Sequence, residues 1–214
     1  MPESLCTGSQ SEFEYPTEPP PRRHGPLGYL DYRSYKPWLR DEFTFRCVYC
    51  LWREAWEPDG PHAFGVDHVQ PQPTGAEVDS SYDSLVYACN TCNSTRRDVP
   101  PPMEFREETL RPHLRVLTDG TIEARTIAGQ ELLELCRLNR PLLIAARHRM
   151  LTLIRVLQQS QNPEALRLLR ELLGFPPDLP NLAVLRPPDG NARPEGIEQS
   201  YFSRRIRGEL PEFY

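Results

Sequence analysis

Two C-x-x-C pairs, Cys47 and Cys50 in "CVYC" and Cys89 and Cys92 in "CNTC", stand out first. A knuckle of this spacing aims two thiolates at one point, and two knuckles complete a tetrahedral sulfur shell suited to Zn2+. A shell of four protein thiolates leaves no open position, so the zinc it holds is structural. A redox dithiol is the other use of C-x-x-C, but one pair suffices for that. The 38 residues between Cys50 and Cys89 exceed the gap of a simple zinc ribbon. Within that insert, "FGVDHVQP" puts a carboxylate and an imidazole side by side at Asp67 and His68. Directly after the last knuckle cysteine stands Asn93.

Asp67 offers carboxylate oxygen and Asn93 amide oxygen. Such hard donors suit Mg2+ or Mn2+, with water and a substrate phosphate filling the shell. Neighbouring residues on a strand point to opposite faces, so His68 is expected to face away from Asp67. A neutral imidazole near pH 7 is the natural base for activating water. The bland alternative is a polar strand end facing solvent.

The elements around these residues follow from local pattern. Phe64–Asp67 reads as a strand, Leu85–Ala88 as a second strand, and Cys89–Arg97 as a helix that must stop before Pro100. Asn90 and Asn93 then share one helix face.

The set Cys47-x-x-Cys50, Asp67-His68-x-x-Pro71, Cys89-x-x-Cys92-Asn93 and Arg96 resembles the HNH endonuclease family over about residues 44–98. The resemblance implies an α+β fold with a ββα-metal core. It implies Asp67 and Asn93 as ligands of a catalytic divalent metal and His68 as general base. The implied reaction is phosphodiester hydrolysis leaving a 5′-phosphate and a 3′-hydroxyl. Arg96 stands where the family often has Lys. With Arg97 it is expected to contact phosphate, the alternative being cationic charge at a helix C-terminus. Ser84 occupies the place of the family's middle Asn, which braces the loop presenting the histidine; Asp83 is a second candidate brace. The flanks "SYKPWLRDEFTFRC" and "DGTIEARTIAGQELLELCRLNRP" look like those of uncharacterised bacterial members with a C-terminal helical part.

The remaining chain divides by composition. Residues 1–26 read as a disordered Pro-rich tail, and 27–126 as the nuclease region with a flanking hairpin at "HLRVLTDGTIEART". Residues 127–178 read as helical, with Asn162, Pro163 and Gly174 as start and stop signals. Leu135, Leu138, Leu142, Ile154 and Leu168 are expected on its inward faces. Residues 179–214 read as an irregular Pro-rich segment. Cys6 is expected to be a free thiol and Cys136 a core filler. Trp38, Trp52 and Trp56 are expected to pack around the knuckle.

The net charge of −5 argues against a general nucleic-acid coat. Residues 47–100 hold 3 arginines against 8 acids, whereas 127–178 hold 7 against 5. Arg137, Arg140, Arg147, Arg155, Arg167 and Arg170 are therefore read as a solvated helix face, or else as a phosphate-gripping one. No apolar run reaches the 18 residues of a membrane span, and the polar N-terminus lacks a signal peptide's apolar stretch. A cytoplasmic location is expected. The sequence thus leads to a metal-dependent nuclease acting on DNA, in restriction or phage defence, aided by a partner protein encoded nearby. An RNase with the same site, or a zinc-stabilised binding module with an inactive site, are the rivals.

Overall fold

A computed structural model describes residues 13–19, 21–70, 81–103 and 108–214. At its centre is an antiparallel hairpin of β1 (Phe64–His68) and β2 (Leu85–Cys89), in register from Phe64 opposite Cys89 to His68 opposite Leu85. Every residue of β2 is buried, as its unbroken apolar run requires of a strand covered on both faces. The α2 helix (Asn90–Arg96) follows β2 without a loop. Cys89 starts it as N-cap, its sulfur accepting from Cys92 N. The α1 helix (Lys36–Glu42) carries Pro37 in its first turn, where the missing N–H costs nothing. Both helices pack on the hairpin. Lys36, the chain's only lysine, donates through Nζ to the Pro61 and Phe64 carbonyls at 2.7 Å each and so fixes the entry to β1.

The expected second hairpin is present as β3 (Leu114–Val116) and β4 (Ile122–Ala124). Its turn needs Gly120, which sits at φ 85°; a Cβ there would lie 2.5 Å from the Ile144 carbonyl oxygen. Three helices follow: α3 (Ile127–Leu135), α4 (Pro141–Gln158) and α5 (Pro163–Leu173). Asn162 caps α5 by accepting from Glu164 N at 2.9 Å, and Gly174 ends it, as the sequence predicts.

The inward faces differ from expectation at two leucines. Leu142 is 86% and Leu168 38% exposed, while Leu138 and Ile154 are buried. The phase restarts at Pro141, so the stripe of α4 runs through Leu143, Arg147, Ile154 and Leu157. In α5 it runs through Leu169 and Leu173. Arg147 accordingly leaves the arginine face expected for it: it is fully buried and donates to the Leu138 carbonyl. Leu138 itself has no exposed surface. Leu138→Ala is expected to cost roughly 2–5 kcal/mol, read as a lowered denaturation midpoint at unchanged m-value.

The chain ends depart from the sequence reading more widely. In contrast to the tail expected over 1–26, its described part is packed, with Phe13, Tyr15 and His24 buried. Residues 1–12, and with them Cys6, lie outside the described residues, as do 71–80 with Pro71. The C-terminal segment is not irregular throughout. It forms α6 (Gly196–Gln199) and α7 (Tyr201–Ile206), and Leu182 is buried. Polar anchors tie both ends to α1. His24 Nε2 bonds Asp41 Oδ1 at 2.8 Å, and the Tyr201 amide donates to Asp41 Oδ2 at 2.8 Å. The helical region is bound in as well: Trp56 Nε1 donates to the Leu172 carbonyl at 2.9 Å, and Arg40 bridges Glu54 and Asp178. Trp52 and Trp56 pack edge to face at 5.0 Å, with the Trp52 carbonyl bonded to the Cys47 amide of the knuckle, whereas Trp38 packs against His24.

Candidate active site

The four knuckle cysteines are buried, with their sulfurs within 4.8 Å of one another. Cys50 Sγ and Cys89 Sγ are 3.8 Å apart. A tetrahedron with Zn–S bonds of about 2.3 Å has edges of about 3.8 Å, so the donor set fits zinc. It is the one such cluster of metal-ligating side chains among the described residues. Hydrogen bonding from Cys47, then Cys50 and Cys92, pulls the Cys89 thiol far below its ordinary range. The other three thiols are held above their ordinary range, so full deprotonation of the cluster accompanies metal binding. Cys136 stands apart from it. Burial pushes its thiol up to about 12, which keeps it a neutral core residue.

Next to this cluster, β1 carries Asp67 and His68 to its C-terminal end, on opposite faces. Asp67 turns toward α2 and is 4% exposed. Tyr49 Oη donates to Asp67 Oδ2 at 2.7 Å, Arg96 Nε donates to the same oxygen at 2.9 Å, and Arg96 Nη2 donates to Oδ1. Tyr49 lies inside the first knuckle, so one residue links the zinc shell to this carboxylate. Burial, then the charge of Asp67, raises the Tyr49 pKa well above its ordinary value and keeps the phenol a donor. Burial opposes the Arg96 charge, but hydrogen bonding to Asp67 together with the charges of Tyr49, Asp67 and Cys136 outweighs it and raises its pKa.

Arg96 is thus placed differently from the phosphate contact expected of it. It is 2% exposed and aimed inward. Arg97 is exposed, at φ 55°, a backbone conformation that favours glycine. Of the two arginines, only Arg97 is presented to a ligand from solvent.

His68 faces the 3-10 turn Tyr32–Tyr35, where the Tyr32 ring meets its imidazole edge to face at 4.5 Å. Asn93 Nδ2 donates to the Val66 carbonyl at 3.4 Å, which brings its amide alongside the residue before Asp67. Gly65 makes room for α2 at Asn90: a Cβ there would lie 3.3 Å from Asn90 Oδ1, whereas Asn93 Nδ2 at 3.9 Å would be in ordinary contact. Val69 N donates to the Ser84 carbonyl at 2.9 Å, which ties the segment after His68 to the start of β2. The Ser84 hydroxyl closes its own turn onto the Ser81 carbonyl, and the Asp83 carboxylate pairs with Arg193.

Tyr32, Tyr49 and Gly65 carry no signal of their own in the sequence. Tyr49 was findable only as the residue the knuckle must aim somewhere, and Gly65 as the position two before Asp67 on the same strand face. No helix among the described residues is long and apolar enough to cross a membrane.

Comparison with curated proteins and with solved structures returns no significant match. Residues 47–98, which span both knuckles, β1, β2 and α2, match the family model described as HNH endonuclease, and this segment of the chain is an HNH domain.

Proposed function

We propose that the protein is a metal-dependent HNH endonuclease that hydrolyses phosphodiester bonds of DNA. The observation that carries this reading is the position of Asp67 and His68. They occupy opposite faces at the end of β1, with Asn93 of α2 beside the strand and Tyr49 of the first knuckle bonded to the carboxylate. Asp67 Oδ1 and the Asn93 amide oxygen are the donors that would hold Mg2+ or Mn2+. Such a metal, when bound, supplies charge stabilisation at the phosphate and at the leaving oxygen. His68, on the far side of the strand and steadied by Tyr32, takes a proton from water. Arg97 contacts a neighbouring phosphate. The products are a 5′-phosphate and a 3′-hydroxyl. A role in restriction or phage defence, with a partner protein delivering an acidic chain to DNA, agrees with the net charge of −5.

One observation favours a second reading, a zinc-stabilised binding module. The Asp67 carboxylate is held by Arg96 and Tyr49, as a structural acid would be.

A supercoiled plasmid incubated with zinc-loaded protein decides between them. Nicking or linearisation with Mg2+ or Mn2+, abolished by EDTA, is the expected result. A single-stranded RNA run beside it tests the ribonuclease version. Nucleic-acid binding without cutting under either metal gives the binding module.

A further inference from the structure

A carboxylate has two oxygens and about four lone-pair positions. At Asp67, Tyr49 Oη and Arg96 Nε fill both positions of Oδ2. Arg96 Nη2 takes one position of Oδ1. Among the described residues no donor takes the last lone pair on Oδ1, which is left for an incoming cation.

The guanidinium that shares this oxygen is not free to leave. Arg96 Nη1 donates to the Val99 carbonyl, and Nη2 also donates to the His68 carbonyl. These main-chain anchors belong to different elements, one on β1 and one just beyond α2. They hold the arginine where it is, whether or not Asp67 accepts another partner. The same Nη2 therefore touches both the Asp67 side chain and the His68 backbone, the two halves of the Asp-His pair.

We propose that Arg96 is a positioning residue that shares the Asp67 carboxylate with the divalent metal and thereby sets how weakly that metal binds. This rests on the reading of Asp67 as a metal ligand. The physical ground is simple. A fixed cation a few ångströms from a divalent cation repels it in a site shielded from water. It also occupies the lone pairs that a second metal–oxygen bond from this carboxylate would need. Of the two carboxylate oxygens, only Oδ1 would be open to the metal. Such a site keeps little metal on its own and gains it when a substrate phosphate adds negative charge and oxygen donors.

The test is Mn2+ binding to zinc-loaded protein without nucleic acid, followed by the electron paramagnetic resonance of free Mn2+. Arg96→Gln is expected to bind Mn2+ about tenfold more tightly than wild type, because the competing charge is gone. Arg96→Lys keeps a charge but loses the two-pronged grip, so an intermediate gain of about threefold is expected. Asp67→Asn in the Arg96→Gln background should remove the gain. Unchanged or weaker binding in Arg96→Gln overturns the proposal, as does a gain that survives Asp67→Asn. If Arg96→Gln does not fold, Arg96→Lys decides by the same rule. Should wild type hold no measurable Mn2+ while an Arg96 variant does, the proposal stands. Plasmid cleavage together with unchanged Mn2+ affinity sinks this inference alone. Absence of binding in every variant sinks it together with the reading of Asp67 as a ligand.

Discussion

Cys89→Ser is expected to yield protein that holds no stoichiometric zinc and shows no cooperative melt. Cys89 serves three structural purposes at one position. It ends β2 opposite Phe64, caps α2 by accepting from Cys92 N, and supplies one corner of the buried sulfur cluster. A serine hydroxyl keeps some capping ability but is a poor zinc ligand at neutral pH. Structural zinc contributes an apparent binding free energy of about 10–16 kcal/mol that is coupled to folding. A domain of this size has a net stability of roughly 5–15 kcal/mol. Loss of most of the first quantity is comparable to the whole of the second, so the expected consequence is unfolding rather than a weakened site. Elemental analysis and thermal circular dichroism on the same preparation check it. Cys136→Ser is the control: Cys136 is buried outside the cluster, so zinc content should be unchanged. A Cys89→Ser protein with one zinc per chain and a wild-type melt would show that the four cysteines are not the ligand set.

The features legible in the sequence are those fixed by short-range chemistry. Two C-x-x-C knuckles announce a sulfur shell because the ligand spacing is local. The Asn162–Pro163 start and Gly174 stop of α5 are equally local, and both are found in place. What the sequence hid depends on phase and reach. Leu142 looked like a core position only if α3 and α4 were counted as one helix; Pro141 restarts the count and moves the stripe to Leu143. Charge alone puts Arg147 on an arginine face, although it lies on the same buried stripe as Ile154. For Arg96, the pattern located the residue on α2 but could not say whether its long side chain turned to solvent or crossed to β1. That choice depends on Asp67, 29 residues earlier in the chain. The Pro-rich ends misled for a related reason. A few anchors, such as Phe13, Tyr15 and Leu182, pack a segment whose average composition is that of a coil.

His68→Ala is expected to keep its zinc, its melting temperature and its nucleic-acid affinity while cleavage falls ~10²–10⁴-fold, the usual effect of removing a general base. The structural part follows from placement. His68 is at the end of β1, outside the sulfur cluster, partly exposed, and in edge contact with Tyr32. Its main-chain pairing with Leu85 does not depend on the imidazole. Asp67→Ala should behave differently. It leaves the buried Arg96 guanidinium without its anion, and breaking a buried pair in this way costs roughly 3–5 kcal/mol. A lowered melting temperature should therefore accompany its loss of cutting. Asn93→Ala removes an amide from the partly exposed face of α2 and should be the variant that high Mn2+ partly rescues. Excess Mn2+ should do nothing for His68→Ala, since a proton acceptor is missing and not a metal donor. Cleavage rate, zinc content and melting temperature measured on these three variants separate the roles. A His68→Ala protein that cuts as fast as wild type would remove His68 from the chemistry and leave Asp67, Asn93 and Arg97 to be explained by binding alone.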